Sequence, residues 1–396
     1  MKIIHTSDWH LGQNFYGYDR RDEHTHMVEQ LRTLVEQQQP DVLVIAGDVY
    51  DIGSPNTVVQ KDFAKYLVSL CKACPDMTIV CIAGNHDSAS RHEVFQEPWE
   101  AFGVYTVGKV NMNDVKSNII KVKDKGYVVA VPYTNERFLD DDFYQKLSAA
   151  VEQKCGVDGL PVIYVGHASI MDLDYDGHKT ADENKYVGNI ECTSVERIGD
   201  VYDYIALGHI HKAQTFYNGR ARYCGSPIPV SFDEVKPGYD HGFTIVDIAG
   251  KGEVPVISTV PVECVRPLVN IPSVGFATWA DAMAELKKFP AGQDAYIRLN
   301  IEVEEHESLP YDRETLISNA LLGKQGKYCL INVTRKSSVV AGKSEVAPME
   351  LEELQNEDPL TLVKRYFASE GIEFIGDFED MFNEAVAAVK SVQDEN

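Results

Sequence analysis

Five short motifs in this chain combine histidines with oxygen-bearing side chains. Each motif ends or directly follows an apolar run that predicts a buried strand. They are Asp8-Trp9-His10, Gly47-Asp48-Val49-Tyr50-Asp51, Gly84-Asn85-His86-Asp87, Gly166-His167 and Gly208-His209-Ile210-His211. Carboxylates, an amide and imidazoles, without thiolates, suit two divalent cations about 3.5–4 Å apart. The motifs therefore predict a two-metal centre that acts on phosphate esters.

Seven side chains are the expected metal ligands, and one of them must bridge the two ions. Asp48 is the natural bridge, because it follows a buried strand and Gly47 allows close approach. We expect Asp8, His10 and His211 to complete the site of one metal, and Asn85, His167 and His209 to complete the other.

Two further residues are expected to take part in catalysis. His86 is next to the ligand Asn85, so it can face the phosphate and protonate the leaving oxygen. Asp51 has two open interpretations. It either orients His86 and keeps it protonated, or it is an ordinary capping or loop residue.

Each motif residue also has a plain structural interpretation. Asp8 could be a turn residue, Asn85 could support a tight turn, and His167 could be a satisfied buried imidazole. His5, which precedes the first motif, is expected to be a core histidine. The occurrence of all five motifs in this order favours the metal centre.

The composition indicates a protein of two or three domains without a membrane span. The 396 residues are 44% hydrophobic and 25% charged, and no apolar run approaches the roughly 18 residues that a span needs. Because the first motif begins at residue 8, we expect no signal peptide. The eight cysteines are scattered. Cys71 and Cys74 could be half of a zinc site, but ordinary cysteines at a helix end are favoured. We expect a cytoplasmic protein.

The net charge of −24 does not resemble that of a DNA-binding protein. Its distribution weakens this objection, because residues 345–396 hold 14 acidic and 3 basic side chains, which is −11. Part of the remaining charge is the ligand cluster, which metal ions would neutralise. We expect strong DNA affinity to require a partner.

Hydrophobic periodicity predicts an α/β fold in which two sheets form a β-sandwich flanked by helices. Residues 1–110 predict a parallel sheet with ligands at its carboxyl edge. Its expected strands are 2–6, 41–46 and 78–83, and its expected helices are 22–39, 56–73 and 90–102. Residues 104–265 predict a second sheet from strands 118–122, 127–131, 162–165, 204–207, 222–224 and 243–247. The predicted domains are 1–265, a small α+β unit at 266–344 and an acidic helical tail at 345–396. The expected helices of the α+β unit are 279–288 and 313–322, and its expected strands are 295–303 and 328–333.

Two apolar surfaces suggest contacts with other chains. Helices 56–73 and 90–102 carry more apolar side chains than one sheet face requires: Phe63, Tyr66, Leu67, Leu70, Phe95, Trp99 and Phe102. These side chains could extend to a homodimer interface. The alternative, which is favoured for most of the positions, is that they pack in the core. The tail carries Leu360, Val363, Phe367, Phe374, Phe378, Phe382 and Val386 at helical spacing. These side chains either dock on a basic partner or cover the preceding domain.

The stretches around the motifs resemble the calcineurin-like metallophosphoesterase superfamily and, within it, the SbcD family of bacterial nuclease subunits. They are HTSDWHLGQNFYGYDRRDEH at 5–24, AGDVYDIGSP at 46–55, AGNHDS at 83–88, YIALGHIHKAQ at 204–214 and YCGSPIPVSFDE at 223–234. The resemblance covers residues 1–265, and the later α+β unit fits the capping domain of that family. Asp51 stands where archaeal and eukaryotic relatives place a second histidine and bacterial ones an aspartate.

The resemblance implies a nuclease that uses two Mn²⁺ ions, with Mg²⁺ as a possible substitute. It implies 3'→5' exonuclease action on double-stranded DNA and endonuclease action on single strands and hairpins. It also implies a homodimer that works in DNA repair and recombination, within a heterotetramer with an SbcC-like coiled-coil ATPase. Residue spacing alone gives only a two-metal phosphoesterase. A phosphomonoesterase, a cyclic-nucleotide phosphodiesterase and a non-catalytic metal-binding scaffold therefore remain alternatives.

Overall fold

The computed structural model describes residues 1–156, 158–170, 192–305 and 307–336, together with Leu360, Thr361 and Lys364. The chain divides into a compact unit, Met1–Arg335, and a second unit, Lys336–Asn396. The predicted tail helices and their apolar stripes lie almost entirely outside the described residues. Within the described part of the chain, no helix is long and apolar enough to cross a bilayer.

The first sheet contains six strands in the described region. Their spatial order is Val256–Pro261, Gly242–Asp247, Lys2–Thr6, Val42–Ala46, Thr78–Ile82 and Val104–Val107. The last four of these strands pair in parallel, as the alternation of strands and helices predicts. The strand Gly242–Asp247 pairs antiparallel with both of its neighbours, Val256–Pro261 and Lys2–Thr6. The prediction that placed 243–247 in the second sheet is wrong, because this strand pairs directly with Lys2–Thr6. Such a long-range pairing leaves no trace in local periodicity.

The second sheet also has six strands among the described residues. Their order is Gln214–Phe216, Ala221–Tyr223, Tyr204–Gly208, Val162–His167, Gly126–Val131 and Ile119–Val122. The central strands are parallel. Apolar side chains from both sheets, such as Val44, Val80, Val128 and Ile163, form one core between them. The predicted two-sheet sandwich is therefore confirmed.

Helices cover the outer faces of the sandwich. Arg21–Gln38 and Thr57–Ala73 pack on the first sheet, and Phe143–Cys155 packs on the second. The predicted helix 90–102 is instead two short helices, Ala89–Glu93 and Gln96–Glu100. Pro98 explains the break, because it cannot donate a backbone hydrogen bond and its ring crowds the preceding turn. One further short helix, Val195–Ile198, follows the small strand pair Ser169–Ile170 and Cys192–Thr193.

A third sheet with its own apolar core follows the sandwich. Its parallel strands are Leu268–Ile271, Tyr296–Val303 and Lys327–Arg335, and its helices are Trp279–Lys287 and Arg313–Ala320. Glu23 of the first long helix contacts this region, since its Oε1 accepts hydrogen bonds from Arg266 Nη1 and the Tyr296 hydroxyl, both at 2.7 Å. The predicted domain boundaries at residues 265 and 344 remain predictions.

Candidate metal centre

The predicted ligands lie at the carboxyl ends of the parallel strands of both sheets. Asp8, Asp48 and Asn85 follow three adjacent strands of the first sheet. His167 ends a strand of the second sheet, and His209 follows the neighbouring strand. Ligands of open α/β sheets collect outside this edge because the loops after neighbouring strands meet there. The fold therefore brings the loops of the five motifs together.

Several of these loops hold their residues in a left-handed backbone conformation. The φ angles of Asp8, His10, Asp48 and His209 are 53°, 46°, 49° and 95°. Non-glycine residues rarely adopt this conformation, and where they do it is often at functional sites. Backbone hydrogen bonds help to maintain it, since Asp8 N donates to Gly47 O at 3.0 Å and His10 N donates to Asp48 O at 3.1 Å.

Two glycines allow the loops to approach each other. A Cβ atom on Gly84 would overlap the Asp48 carboxylate, and one on Gly47 would overlap the His167 ring. Gly47 also has a φ of 91°, which disfavours any other residue. These glycines therefore permit the Asp48 loop to lie close to Gly84 in the first sheet and to His167 in the second.

The first group of converging side chains is Asp8, His10 and His211. One ligand atom from each lies within 4.8 Å of the others. The Nε2 atoms of His10 and His211 are only 3.3 Å apart. Each Nδ1 faces a carboxylate instead, Asp51 Oδ1 at 3.4 Å from His10 and Glu234 Oε1 at 2.8 Å from His211. Two imidazole lone pairs that face each other this closely need a cation or a shared proton between them.

The second group converges on Asn85. Its Oδ1 lies 3.0 Å from His167 Nε2 and 2.9 Å from His209 Nδ1. The other nitrogen of His167 is 2.8 Å from the Ala46 carbonyl. A neutral His167 that donates there would direct the lone pair of Nε2 toward Asn85. An oxygen and two imidazoles again fit a divalent cation.

Asp48 lies between the two groups. Its Oδ2 is 3.4 Å from His167 Nε2 and 3.9 Å from His10 Nε2. Its Oδ1 accepts a hydrogen bond from the His86 backbone N–H at 2.9 Å. One carboxylate therefore faces both groups. The structure thus places all seven predicted ligands together, while the assignment of each residue to one metal remains a prediction.

Burial and charge act in opposite directions on the ionisable groups here. Burial raises the pKa of Asp48, but the charge and hydrogen bond of His167 outweigh it and hold the pKa below its usual range. Burial lowers the pKa of His167, yet Asp48 raises it overall to about 9. In the same way Glu234 outweighs burial and raises the pKa of His211 to about 9. The carboxylates thus create a strongly negative cavity that attracts protons or cations.

His86 is exposed at the edge of this cavity, and its described contact with Asp51 is to the backbone of that residue. The backbone carbonyl of Asp51, at 2.9 Å from Nδ1, orients the His86 ring. The Asp51 carboxylate faces His10 instead. The His86 ring centre is 4.9 Å from that of His10, and His86 also forms a compact group with His10 and Asp48. The predicted effect of the Asp51 carboxylate on His86 therefore finds no support in the described contacts.

Several supporting residues were not assigned from the sequence. The Ser7 hydroxyl donates to Asp8 Oδ2 and lies 2.9 Å from Cys224 Sγ. Glu234 contacts His211 although the two are 23 positions apart in the sequence. The Asp87 carboxylate accepts hydrogen bonds from the backbone of Gly84, Val49 and Tyr50 and so joins two of the loops. Asp87 belongs to a motif and could have been found from it. Glu234 ends the stretch YCGSPIPVSFDE at 223–234, but nothing in that stretch indicates its contact with His211.

The chain is similar to two nuclease subunits of known sequence and to one solved phosphatase structure. The chain is 29% identical to the SbcD subunit of the SbcCD nuclease from Rhodobacter capsulatus, over 73% of this chain and 76% of that protein. It is also 29% identical to the SbcD subunit of the SbcCD nuclease from Escherichia coli K12, over 78% of this chain and 79% of that protein. The crystal structure of a dimetal phosphatase from Danio rerio aligns with 65% of this chain and 98% of that one, with a TM-score of 0.35 and 10% identity.

A sequence model of the calcineurin-like phosphoesterase family matches residues 1–213, which include all of the predicted ligands and both predicted catalytic residues. The match spans more than half of the chain, and the carboxylate, amide and imidazole ligands suit divalent metal ions. The chain therefore belongs to the calcineurin-like phosphoesterase family.

Proposed function

We propose that this protein is a two-metal DNA nuclease that uses Mn²⁺. In this proposal it degrades double strands as a 3'→5' exonuclease and cuts single strands and hairpins as an endonuclease. It acts in double-strand break repair and recombination. The observation that carries the proposal is the position of Asp48 between two groups of nitrogen and oxygen ligands. The relatives named as nuclease subunits support DNA as the substrate.

The ligands would hold the ions as the sequence predicts. Asp8, His10 and His211 would bind one ion, Asn85, His167 and His209 the other, and Asp48 both. When bound, two such ions activate water and stabilise negative charge on phosphate oxygens. The proton of Ser7 and the backbone N–H of His209 keep the Asp8 carboxylate oriented. These hydrogen bonds reduce the reorganisation that ligand binding requires.

His86 is the proposed general acid. The Asp51 carbonyl accepts the proton of His86 Nδ1, which leaves Nε2 as the atom that can carry and release a second proton. A protonated ring would give that proton to the leaving 3' or 5' oxygen of the cleaved strand. The exposed position of His86 allows it to meet a polymeric substrate. Asp51 takes part through its backbone and through its contact with His10.

The acidic chain is expected to obtain its DNA affinity from an assembly. A net charge of −24 would repel DNA away from the metal centre. We propose a coiled-coil ATPase like SbcC as the partner, bound through the acidic tail at 345–396. We also propose a homodimer. Among the residues predicted for its interface, Phe95 and Phe102 are exposed, with 60% and 66% of their surface accessible.

The proposal is tested with end-labelled duplex and hairpin DNA, in Mn²⁺ and in Mg²⁺, with and without the partner. The wild-type protein should shorten the duplex from its 3' ends and open the hairpin in Mn²⁺. His86→Ala should lose both activities. His26→Ala, an exposed histidine on helix Arg21–Gln38, is the matched control and should keep them. Hydrolysis of p-nitrophenyl phosphate or a cyclic nucleotide, with both DNA substrates left intact, would refute the nuclease function.

A further inference from the structure

Glu234 is a buried carboxylate next to the metal centre, and only 2% of its surface is exposed. Its Oε1 lies 2.8 Å from His211 Nδ1. Its Oε2 accepts hydrogen bonds from the Ser226 hydroxyl at 3.1 Å and from the Val230 backbone N–H at 2.9 Å. Burial of a charged carboxylate is unfavourable unless several donors satisfy it. Here each oxygen has a defined donor, so the orientation of the carboxylate is fixed.

The segment that carries Glu234 is also anchored. Residues Phe232–Glu234 form a short 3-10 turn, and the Ser231 hydroxyl accepts a hydrogen bond from Asp233 N at 3.0 Å. Phe232 is buried, with its ring centre 5.3 Å from that of Phe15. Glu234 can therefore hold a neighbouring side chain in place without itself moving.

The contact selects one tautomer of His211. A neutral His211 that donates from Nδ1 to Glu234 has its lone pair on Nε2. That Nε2 lies 3.3 Å from His10 Nε2 and 4.0 Å from Asp8 Oδ1. The corresponding contact of His10, from Nδ1 to Asp51, is longer at 3.4 Å, and the Asp51 side chain is 27% exposed. Of the two carboxylates that contact these histidines, Glu234 thus has the shorter contact and the more buried side chain.

We propose that Glu234 is a positioning residue that fixes the ring and tautomer of His211 for metal binding. This inference rests on the proposed function only in that the bound group is a divalent metal. Carboxylates behind metal-binding histidines typically change metal affinity about 10- to 100-fold.

The test is calorimetric titration of the metal-free full-length protein with Mn²⁺ alone. Glu234→Ala should weaken one of the two binding events about 10- to 100-fold. Glu234→Gln keeps an oxygen that can accept from Nδ1 but loses the negative charge, so its effect should be smaller. Asp233→Asn is the matched control, because Asp233 contacts Arg298 at 2.7 Å and its side chain is 50% exposed. It should bind Mn²⁺ as the wild type does.

A double-mutant cycle separates positioning from a structural effect. If Glu234 acts through His211, then Glu234→Gln should not weaken binding further in a His211→Ala background. An equal loss in both backgrounds would overturn the proposal, as would wild-type affinity in Glu234→Ala. Glu234→Gln is nearly isosteric, so the cycle can be completed even if Glu234→Ala does not fold. DNA cleavage does not enter this measurement. Failure of the nuclease function would appear separately, as intact DNA with a protein that binds Mn²⁺ normally.

Discussion

His5 provides a quantitative test of the sandwich core, because its ring is fully buried in the first strand. Its Nδ1 lies 2.9 Å from the Tyr204 hydroxyl of the opposite sheet. Burial, helped by the positive charge of Arg222, lowers the pKa of His5 from 6.5 to about 3. In the unfolded chain the ring regains its ordinary pKa. The unfolded state therefore binds more protons than the folded state between pH 3 and 6.5.

The direction of the pH effect follows from this difference. The folded pKa is depressed, so His5 costs no stability above pH 6.5 and destabilises the fold progressively as the pH falls toward 3. With pKa values of 6.5 and about 3, the loss between pH 7.5 and pH 5 is about 2 kcal/mol. The limit below pH 3 is about 5 kcal/mol. Full burial means that solvent screening does not reduce these values substantially.

The variant His5→Asn removes this titration but keeps a polar group that can meet the Tyr204 hydroxyl. We expect the variant to be less stable than wild type at pH 7.5, because it loses ring volume in the core. Between pH 7.5 and pH 5 the free energy of unfolding should decrease in both proteins. The decrease should be about 2 kcal/mol smaller in the variant than in wild type. Urea unfolding followed by circular dichroism, in EDTA at several pH values, measures the difference. Equal losses in both proteins would refute the assigned pKa and the burial that causes it.

Three other substitutions test separate parts of the structure. Gly84→Ala adds a methyl group that would overlap the Asp48 carboxylate. It should lower the free energy of unfolding by about 1–3 kcal/mol, measured by urea unfolding, or weaken metal binding, measured by calorimetry. Arg266→Ala leaves the buried Glu23 carboxylate without its cation, so the free energy of unfolding should decrease by about 3–5 kcal/mol. An unchanged urea midpoint would contradict this. Phe102→Glu should convert the proposed homodimer to monomers in light scattering, whereas a monomeric wild type would contradict the dimer.

Of the two interpretations of the apolar face of helix 56–73, the structure supports core packing at Leu70. Leu70 and Leu67 are fully buried, and Phe63 is nearly so, in the core between the helices and the first sheet. A charge at Leu70 would therefore test folding and not dimer formation. Helical spacing identifies an apolar face but does not distinguish contact with the sheet of the same chain from contact with a second chain.

The elements around the site were predictable because each is encoded locally. The apolar runs that end at Ala46 and Ile82 are unbroken, as is typical of parallel strands buried on both faces. Asn56 precedes the helix Thr57–Ala73, and its side chain accepts hydrogen bonds from Val58 N and Val59 N. Such caps are visible in the sequence. Ligands that directly follow such strands could therefore be found before the structure was known.

The remaining features depend on pairings between distant residues. Glu234 contacts His211 only because Phe232 and the loop beside it are anchored in the core. The strand Gly242–Asp247 joins the first sheet through its register with Lys2–Thr6. The contact of the Asp51 carboxylate with His10, in place of His86, depends on the orientation of one loop. None of these follows from the spacing of nearby residues.

The most direct test of the central claim is the number of Mn²⁺ ions bound by wild type, Asp48→Ala and His86→Ala. Calorimetry and anomalous scattering should give two ions per chain for wild type and loss of the pair for Asp48→Ala, because Asp48 faces both groups of ligands. His86→Ala should still bind two ions but lose roughly 10²- to 10⁴-fold in turnover of DNA, as removal of a general acid does. A single ion in wild type, a retained pair in Asp48→Ala, or loss of metal in His86→Ala would contradict the account.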